Sequence, residues 1–154
     1  MAAPQADLVK SLPGLETPFD TVIYSGFVDS SSDDVAGQMH SHYMFVPSKR
    51  DPKNDPVLVW FNGGPGASSL FGMMIELGPF LFSDLSLATE TFNRTGIPSP
   101  IPNPHSWSNV ASVLAISAPP PVGFSWCDKG GVGGAGTSCG DWNDTRTAVA
   151  NHVR

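Results

Sequence analysis

Residues 57–78, VLVWFNGGPGASSLFGMMIELG, pass from an uninterrupted apolar run through a glycine-proline loop into a second, periodically apolar run. The first run, Val57 to Phe61, has the length and bounds of a β-strand. Its lack of polar alternation predicts a strand covered on both faces, as central strands of α/β proteins are. In the second run Leu70, Met73, Met74 and Leu77 fall at i, i+3, i+4 and i+7, the stripe of an amphipathic helix over Gly66–Leu77. Gly78-Pro79 supplies its stop. Asn62, Gly63 and Gly64 therefore sit at a strand's exit. Glycine there permits positive φ and lets a ligand approach backbone N–H groups, and the following helix adds its positive end. The segment reads as an anion-binding corner of an α/β fold.

Around this corner, Tyr24–Val28 and His42–Val46 read as an antiparallel hairpin about the turn-rich Asp29–Gly37. Pro47–Pro56 reads as a charged turn, Phe80–Leu87 as a short strand, and Glu90–Trp107 as an excursion carrying Pro98, Pro100, Pro102 and Pro104. Val110–Ile116 is a further buried strand, stopped by Pro119-Pro120-Pro121. Gly130–Gly136 reads as a flexible loop and Asp141–Arg154 as a helix capped by Asn143 or Asp144. Ala148, Val149 and His152 keep helical spacing to the last residue without a stop signal. The expectation is the front part of one larger α/β domain.

Net charge is −6, and the eight Lys and Arg are scattered, which argues against a nucleic-acid partner. No apolar stretch has membrane-spanning length, and Met1–Pro13 holds Asp7 and Lys10 where a signal peptide needs an apolar core. The expectation is a soluble chain without a signal peptide. Cys127 and Cys139 flank the glycine-rich loop, and both a local disulfide and two free thiols remain open. Neither has His or Cys at ligand spacing, so no metal site is expected, and no cofactor is implied. The sequons Asn93-Arg94-Thr95 and Asn143-Asp144-Thr145 lie in polar, turn-like sequence and make Asn93 and Asn143 glycosylation candidates.

Gly136-Thr137-Ser138-Cys139-Gly140 matches the letters of a G-x-S-x-G nucleophile elbow. An elbow follows a buried strand, however, and Gly130–Gly136 is not one, so the match reads as chance. His40 and His42 alternate along a strand, His105 lies in a proline-rich loop and His152 on the terminal helix. Each reads as a packing or surface histidine. The bland readings of the corner also stay open: Gly63, Gly64 and Gly66 as a tight turn, Asn62 as a brace for the loop, and Glu76 as a solvent-facing carboxylate.

Beyond the corner, residues 6–154 resemble the N-terminal portion of the serine carboxypeptidases, enzymes of the α/β-hydrolase fold. The resemblance rests on ordered landmarks: Leu12-Pro13-Gly14, Tyr24-Ser25-Gly26, Trp60 to Gly66, Glu76-Leu77-Gly78-Pro79, Asn103-Pro104 with Ser106-Trp107, Val122-Gly123-Phe124-Ser125, and Asp144-Thr145 with Thr147-Ala148. It implies that residues 1–154 are the N-terminal part of a single domain, comprising the first strands of the central mixed sheet and two helices. It implies serine-type carboxypeptidase activity on peptides with a free C-terminal carboxylate.

Gly64 would give an oxyanion-hole N–H, and Asn62, Gly63 and Glu76 would bind the substrate. Two carboxylates within hydrogen-bond distance cannot both stay ionised cheaply, so Glu76 must hold a proton to donate, which favours acidic pH. The implied setting is the secretory pathway, vacuolar or lysosomal, or extracellular.

The family's elbow, Gly-Glu-Ser-Tyr-Ala-Gly, follows the helix that starts near Asp144, and the family's histidine and acid come later still. The nucleophile, histidine and acid are thus expected outside this chain, which alone should cleave no peptide. The strand ending at Asn62 would then present an apolar edge. Two departures stand out: Ala67 replaces a common cysteine, and Ser117-Ala118-Pro119 replaces Asp-x-Pro. Two alternatives accompany this reading, an acyltransferase of the same family and a non-catalytic carboxylate-binding fragment. Oligomeric state is not encoded legibly.

Overall fold

The two most continuously buried strands arise from segments 39–46 and 112–117. They are seen in a computed structural model that describes residues 4–15, 21–29, 38–64, 66–127 and 131–132. Its strands are β1 (Tyr24–Asp29), β2 (Met39–Val46), β3 (Val57–Trp60), β4 (Phe80–Leu81), β5 (Ile101–Pro102), β6 (Ser112–Ser117), β7 (Trp126–Cys127) and β8 (Gly131–Val132). Six of them form a sheet in the order β3-β6-β2-β7-β8, with β1 paired to β2. The expected pairing of the first two strands is present, β2 starting at Met39 rather than His42. β8 falls within the segment expected to be a flexible loop and pairs antiparallel with β7.

One expectation fails at β3. The strand forms, but Val57, Leu58 and Val59 are 58%, 38% and 51% exposed. It ends the sheet order, with β6 as its one described neighbour. Apolar content says what a strand can bury, whereas neighbours decide what is buried. As expected of the strand that ends at Asn62, it presents an apolar edge among the described residues.

The chain divides into two compact units. The first comprises Met1–Ser25, Met44–Val59 and Phe71–Leu114; the second comprises Gly26–Tyr43, Trp60–Leu70 and Ala115–Arg154. In the first unit Ile23, Met44, Val46, Met73, Leu77, Phe80, Ala111 and Val113 are buried. Helix α1 (Ser69–Gly72) starts three residues later than its periodicity suggested, because Gly66 at φ 110° is outside helical space. It widens at once into a π-helical turn over Met73–Leu77, whose Met73 and Leu77 are each 1% exposed.

The strand expected over Phe80–Leu87 is only two residues long, pairing Phe80 with Pro102 and Leu81 with Ile101; Asp84–Leu87 is a 3-10 turn. The proline-rich excursion contains an unforeseen helix α2 (Glu90–Thr95). The Thr89 hydroxyl accepts from Phe92 N–H at 3.1 Å at its start, and Gly96 closes it at φ 72°. Asn93 is therefore exposed on a helix rather than in a turn. The helix expected over Asp141–Arg154, the Gly136–Gly140 motif, Asn143 and His152 lie outside the described residues.

The charged turn before β3 is tied by Asp55. Its carboxylate accepts from the Arg50 guanidinium, from Ser48 Oγ at 2.6 Å and from Asp51 N–H at 3.1 Å. The Arg50 hydrogen bond foremost, then that of Ser48, lowers the Asp55 pKa from 3.8 to about 2. A depressed carboxylate pKa contributes stability that is present above the unfolded value and is lost as pH falls through the folded one. Acid titration followed by circular dichroism should therefore show wild type losing stability between 3.8 and about 2. Asp55→Asn should be less stable above that window and show less of this loss within it.

In the second unit Met39 and Cys127 are paired across β2 and β7 and are buried at 0% and 3%. Cys127 is disulfide-bonded; Cys139, the other cysteine of the chain, lies outside the described residues. His40 stacks on Trp126 at 4.0 Å, while His42 meets Phe27 and Phe124 edge-on at 5.4 and 5.3 Å. Burial holds the His42 pKa below its ordinary value. Both histidines pack against aromatic rings, consistent with the bland sequence reading.

Candidate active site

At the exit of β3 the chain turns through Asn62, Gly63 and Gly64, all in the second unit. Gly64 has φ 141°, and a Cβ there would lie 3.0 Å from Gly66 N and 3.3 Å from Ala67 N. Gly66 follows at φ 110°. These two positions demand glycine by backbone conformation. Gly63 does not: its φ is not in the left-handed range, and an added Cβ would meet nothing within 4 Å.

Two hydrogen bonds fix Asn62. Its backbone N–H donates to Ser69 Oγ at 3.1 Å, and that hydroxyl donates to Ile116 O on β6 at 2.6 Å. Its side-chain oxygen accepts from Trp60 Nε1 at 2.6 Å. Because indole N–H is only a donor, this bond assigns the amide: oxygen toward Trp60, NH2 at the other end. The NH2 is the end that suits an acceptor-only ligand such as a carboxylate.

The loop is further pinned where α1 begins. Ser68 Oγ lies 2.9 Å from Ser117 Oγ, and Gly123, at φ 60°, packs so closely that its Cβ would lie 2.6 Å from Ser68 Oγ. Ser125 Oγ donates to Ser117 O at 2.5 Å and accepts from His42 N–H at 2.8 Å. Ser117, one of the departures noted in the sequence, thus takes part in a local network through its hydroxyl and its carbonyl.

Glu76 belongs to the first unit. It is exposed on the π-helical turn, and its backbone carbonyl accepts from Asn103 Nδ2 at 3.2 Å. His105 is exposed, its N–H donating to Asn103 Oδ1 at 3.0 Å. Sequence reasoning singled out Asn62, Gly63, Gly64 and Glu76 but assigned no role to Trp60 or Ser69. The available signal was their placement: one indole two residues before the asparagine, and one hydroxyl at the first helical position. Among the described residues no group of three or more His, Cys, Asp or Glu converges as a metal site would.

A sheet strand that empties into a loop with glycines at positive φ, with a helix behind it, is an α/β arrangement. The similarity of the chain to known proteins is specific. The serine carboxypeptidase family profile matches residues 13–153, and the chain belongs to that family. It is 42% identical over 127 residues to mouse lysosomal protective protein, covering 82% of this chain and 23% of the relative. It is 43% identical over 122 residues to Candida albicans carboxypeptidase Y, covering 79% and 19%. It is 35% identical over 152 residues to Arabidopsis thaliana serine carboxypeptidase-like 20, covering 99% and 27%.

In these three pairs the chain spans 19% to 27% of the relative's length. The fold matches a crystal structure of a prohormone-processing carboxypeptidase from Saccharomyces cerevisiae with a TM-score of 0.53 and 24% identity, over 69% of this chain and 21% of that one.

Proposed function

We propose that the protein is a serine-type carboxypeptidase, releasing C-terminal amino acids from peptides, and that this chain supplies its oxyanion donor and carboxylate-recognition residues. The observation that carries this reading is the fixed Asn62 amide beside the φ 141° turn at Gly64. Gly64 N–H donates to the oxyanion of the tetrahedral intermediate, whose charge develops only during reaction. Asn62 donates from its NH2 to the terminal carboxylate, and Gly63, lacking a side chain, leaves space for that group. Glu76, when protonated, donates to a substrate carboxylate, so binding is favoured at acidic pH.

A serine nucleophile, a histidine base and an orienting acid complete such chemistry; none of the described residues is assigned to those roles. Work in an acidic compartment of the secretory pathway follows from this reading, supported by the lysosomal relative.

The test is steady-state kinetics of the whole gene product on an N-blocked dipeptide, with Glu76→Ala as the variant. At acidic pH, KM should rise about tenfold, the cost of one lost charge-assisted hydrogen bond. Wild-type KM should climb toward neutral pH, and the variant's should stay flat. An equal climb in both would remove Glu76 from the site.

A further inference from the structure

Asn103-Pro104 and Ser106-Trp107 are landmarks of the sequence to which the proposed chemistry assigns no task. The structure gives them one within the first unit. A helix end leaves its last carbonyls without partners, and a π-helical turn persists only where its surroundings hold it.

From Glu76 to Pro79, at the end of the turn and just past it, four consecutive carbonyls find donors, all from Asn103 and Ser106. Asn103 Nδ2 donates to Glu76 O at 3.2 Å and to Gly78 O at 2.9 Å. Ser106 Oγ donates to Leu77 O at 3.1 Å, and Asn103 N–H donates to Pro79 O at 2.8 Å. The remaining polar atom of the Asn103 amide, Oδ1, accepts from His105 N–H at 3.0 Å, so every polar atom of that amide is engaged. Asn103 and Ser106 are 8% and 3% exposed, whereas the Glu76 side chain faces solvent. The backbone under Glu76 is thus anchored by two buried residues more than twenty positions away in sequence, while the carboxyl stays presented.

We propose that Asn103 and Ser106 are positioning residues that set the place of the Glu76 carboxyl and thereby determine the preference for substrates with a free C-terminal carboxylate over C-terminally amidated ones. This rests on the role given to Glu76 above. Asn103→Asp preserves the shape and the acceptor toward His105, but it turns a carboxylate oxygen toward the carbonyls of Glu76 and Gly78. Ser106→Ala removes one donor, and Ser106→Thr keeps it.

The experiment measures kcat and KM of the whole gene product on an N-blocked dipeptide acid and on its amide, alongside the melting temperature of each variant. For Asn103→Asp, KM for the acid should rise about tenfold, while KM for the amide and both kcat values stay near wild type. Ser106→Ala should move the same way by less, and Ser106→Thr should recover. A merely structural role would lower melting temperature and apparent kcat for both substrates alike, leaving the acid-to-amide ratio untouched; that result overturns the inference.

Should Asn103→Asp fail to fold, the Ser106 pair decides by the same ratio. If Glu76→Ala abolishes the acid preference while the Asn103 and Ser106 variants keep it, the positioning role alone falls. If wild type shows no such preference, or Glu76→Ala leaves it intact, the reading of Glu76 falls and takes this inference with it.

Discussion

Gly64→Ala should remove nearly all turnover from the gene product: kcat on an N-blocked dipeptide is expected to drop about 100- to 1,000-fold, the effect of deleting one oxyanion donor, with KM changed little. Two causes converge. At φ 141° a side chain is strained wherever space allows, by about 1–3 kcal/mol. Space is also short, since the new Cβ would approach the amide nitrogens of Gly66 and Ala67 at 3.0 and 3.3 Å. The loop can relieve both only by rotating its peptide planes, and the donor direction changes with them.

Gly63→Ala serves as the control, because its Cβ meets nothing within 4 Å and its φ is not in the left-handed range. It should leave stability unchanged, so any change in KM would report on the substrate. Retention of wild-type kcat in Gly64→Ala would reduce the glycine loop to a tight turn.

The corner was legible because each of its parts has a local cause: an apolar run, glycines where φ must be positive, and a stripe at Met73 and Leu77. Properties that depend on distant neighbours were not legible. The apolar run over 57–61 reads as a covered strand, yet β3 lies at the end of the sheet order with its apolar residues exposed. The stripe marks which residues face inward, and the widening into a π-helical turn over Met73–Leu77 left no mark in it.

Helix α2 carried its own signals in Thr89 and Gly96, but six residues among prolines are too few for periodicity to register. The brace reading of Asn62 has a basis in the structure. Its backbone N–H braces the loop through Ser69, and its amide is oriented by Trp60. The placement of Trp60 and Ser69 was visible in the sequence, but which atoms they bond was not.

Where Gly63→Ala should produce no loss of stability, Gly78→Ala, also outside the left-handed region, should produce a large one. Its φ of −76° suits alanine, so no conformational penalty arises. The cost is contact alone. The new Cβ would lie 2.1 Å from Met73 O and 3.0 Å from Met73 C, both main-chain atoms that no rotamer change can withdraw. Met73 is itself 1% exposed at the start of the π-helical turn, so the turn must shift as a whole or lose its closure.

Overpacking against backbone predicts a loss of about 3 kcal/mol, read in a thermal melt as a lowered melting temperature. Gly96→Ala separates the two kinds of cost. It has φ 72° with nothing within 4 Å of the added Cβ, so conformation alone should cost it about 1 kcal/mol.

Glu76 lies between Met73 and Gly78, so the shift that relieves the contact must also move the carboxyl. Gly78→Ala should therefore lower the acid-over-amide preference of the gene product along with its melting temperature. An unchanged melting temperature would mean that the π-helical turn is not held by this contact. A lowered one with the preference intact would mean that the turn and the site are independent.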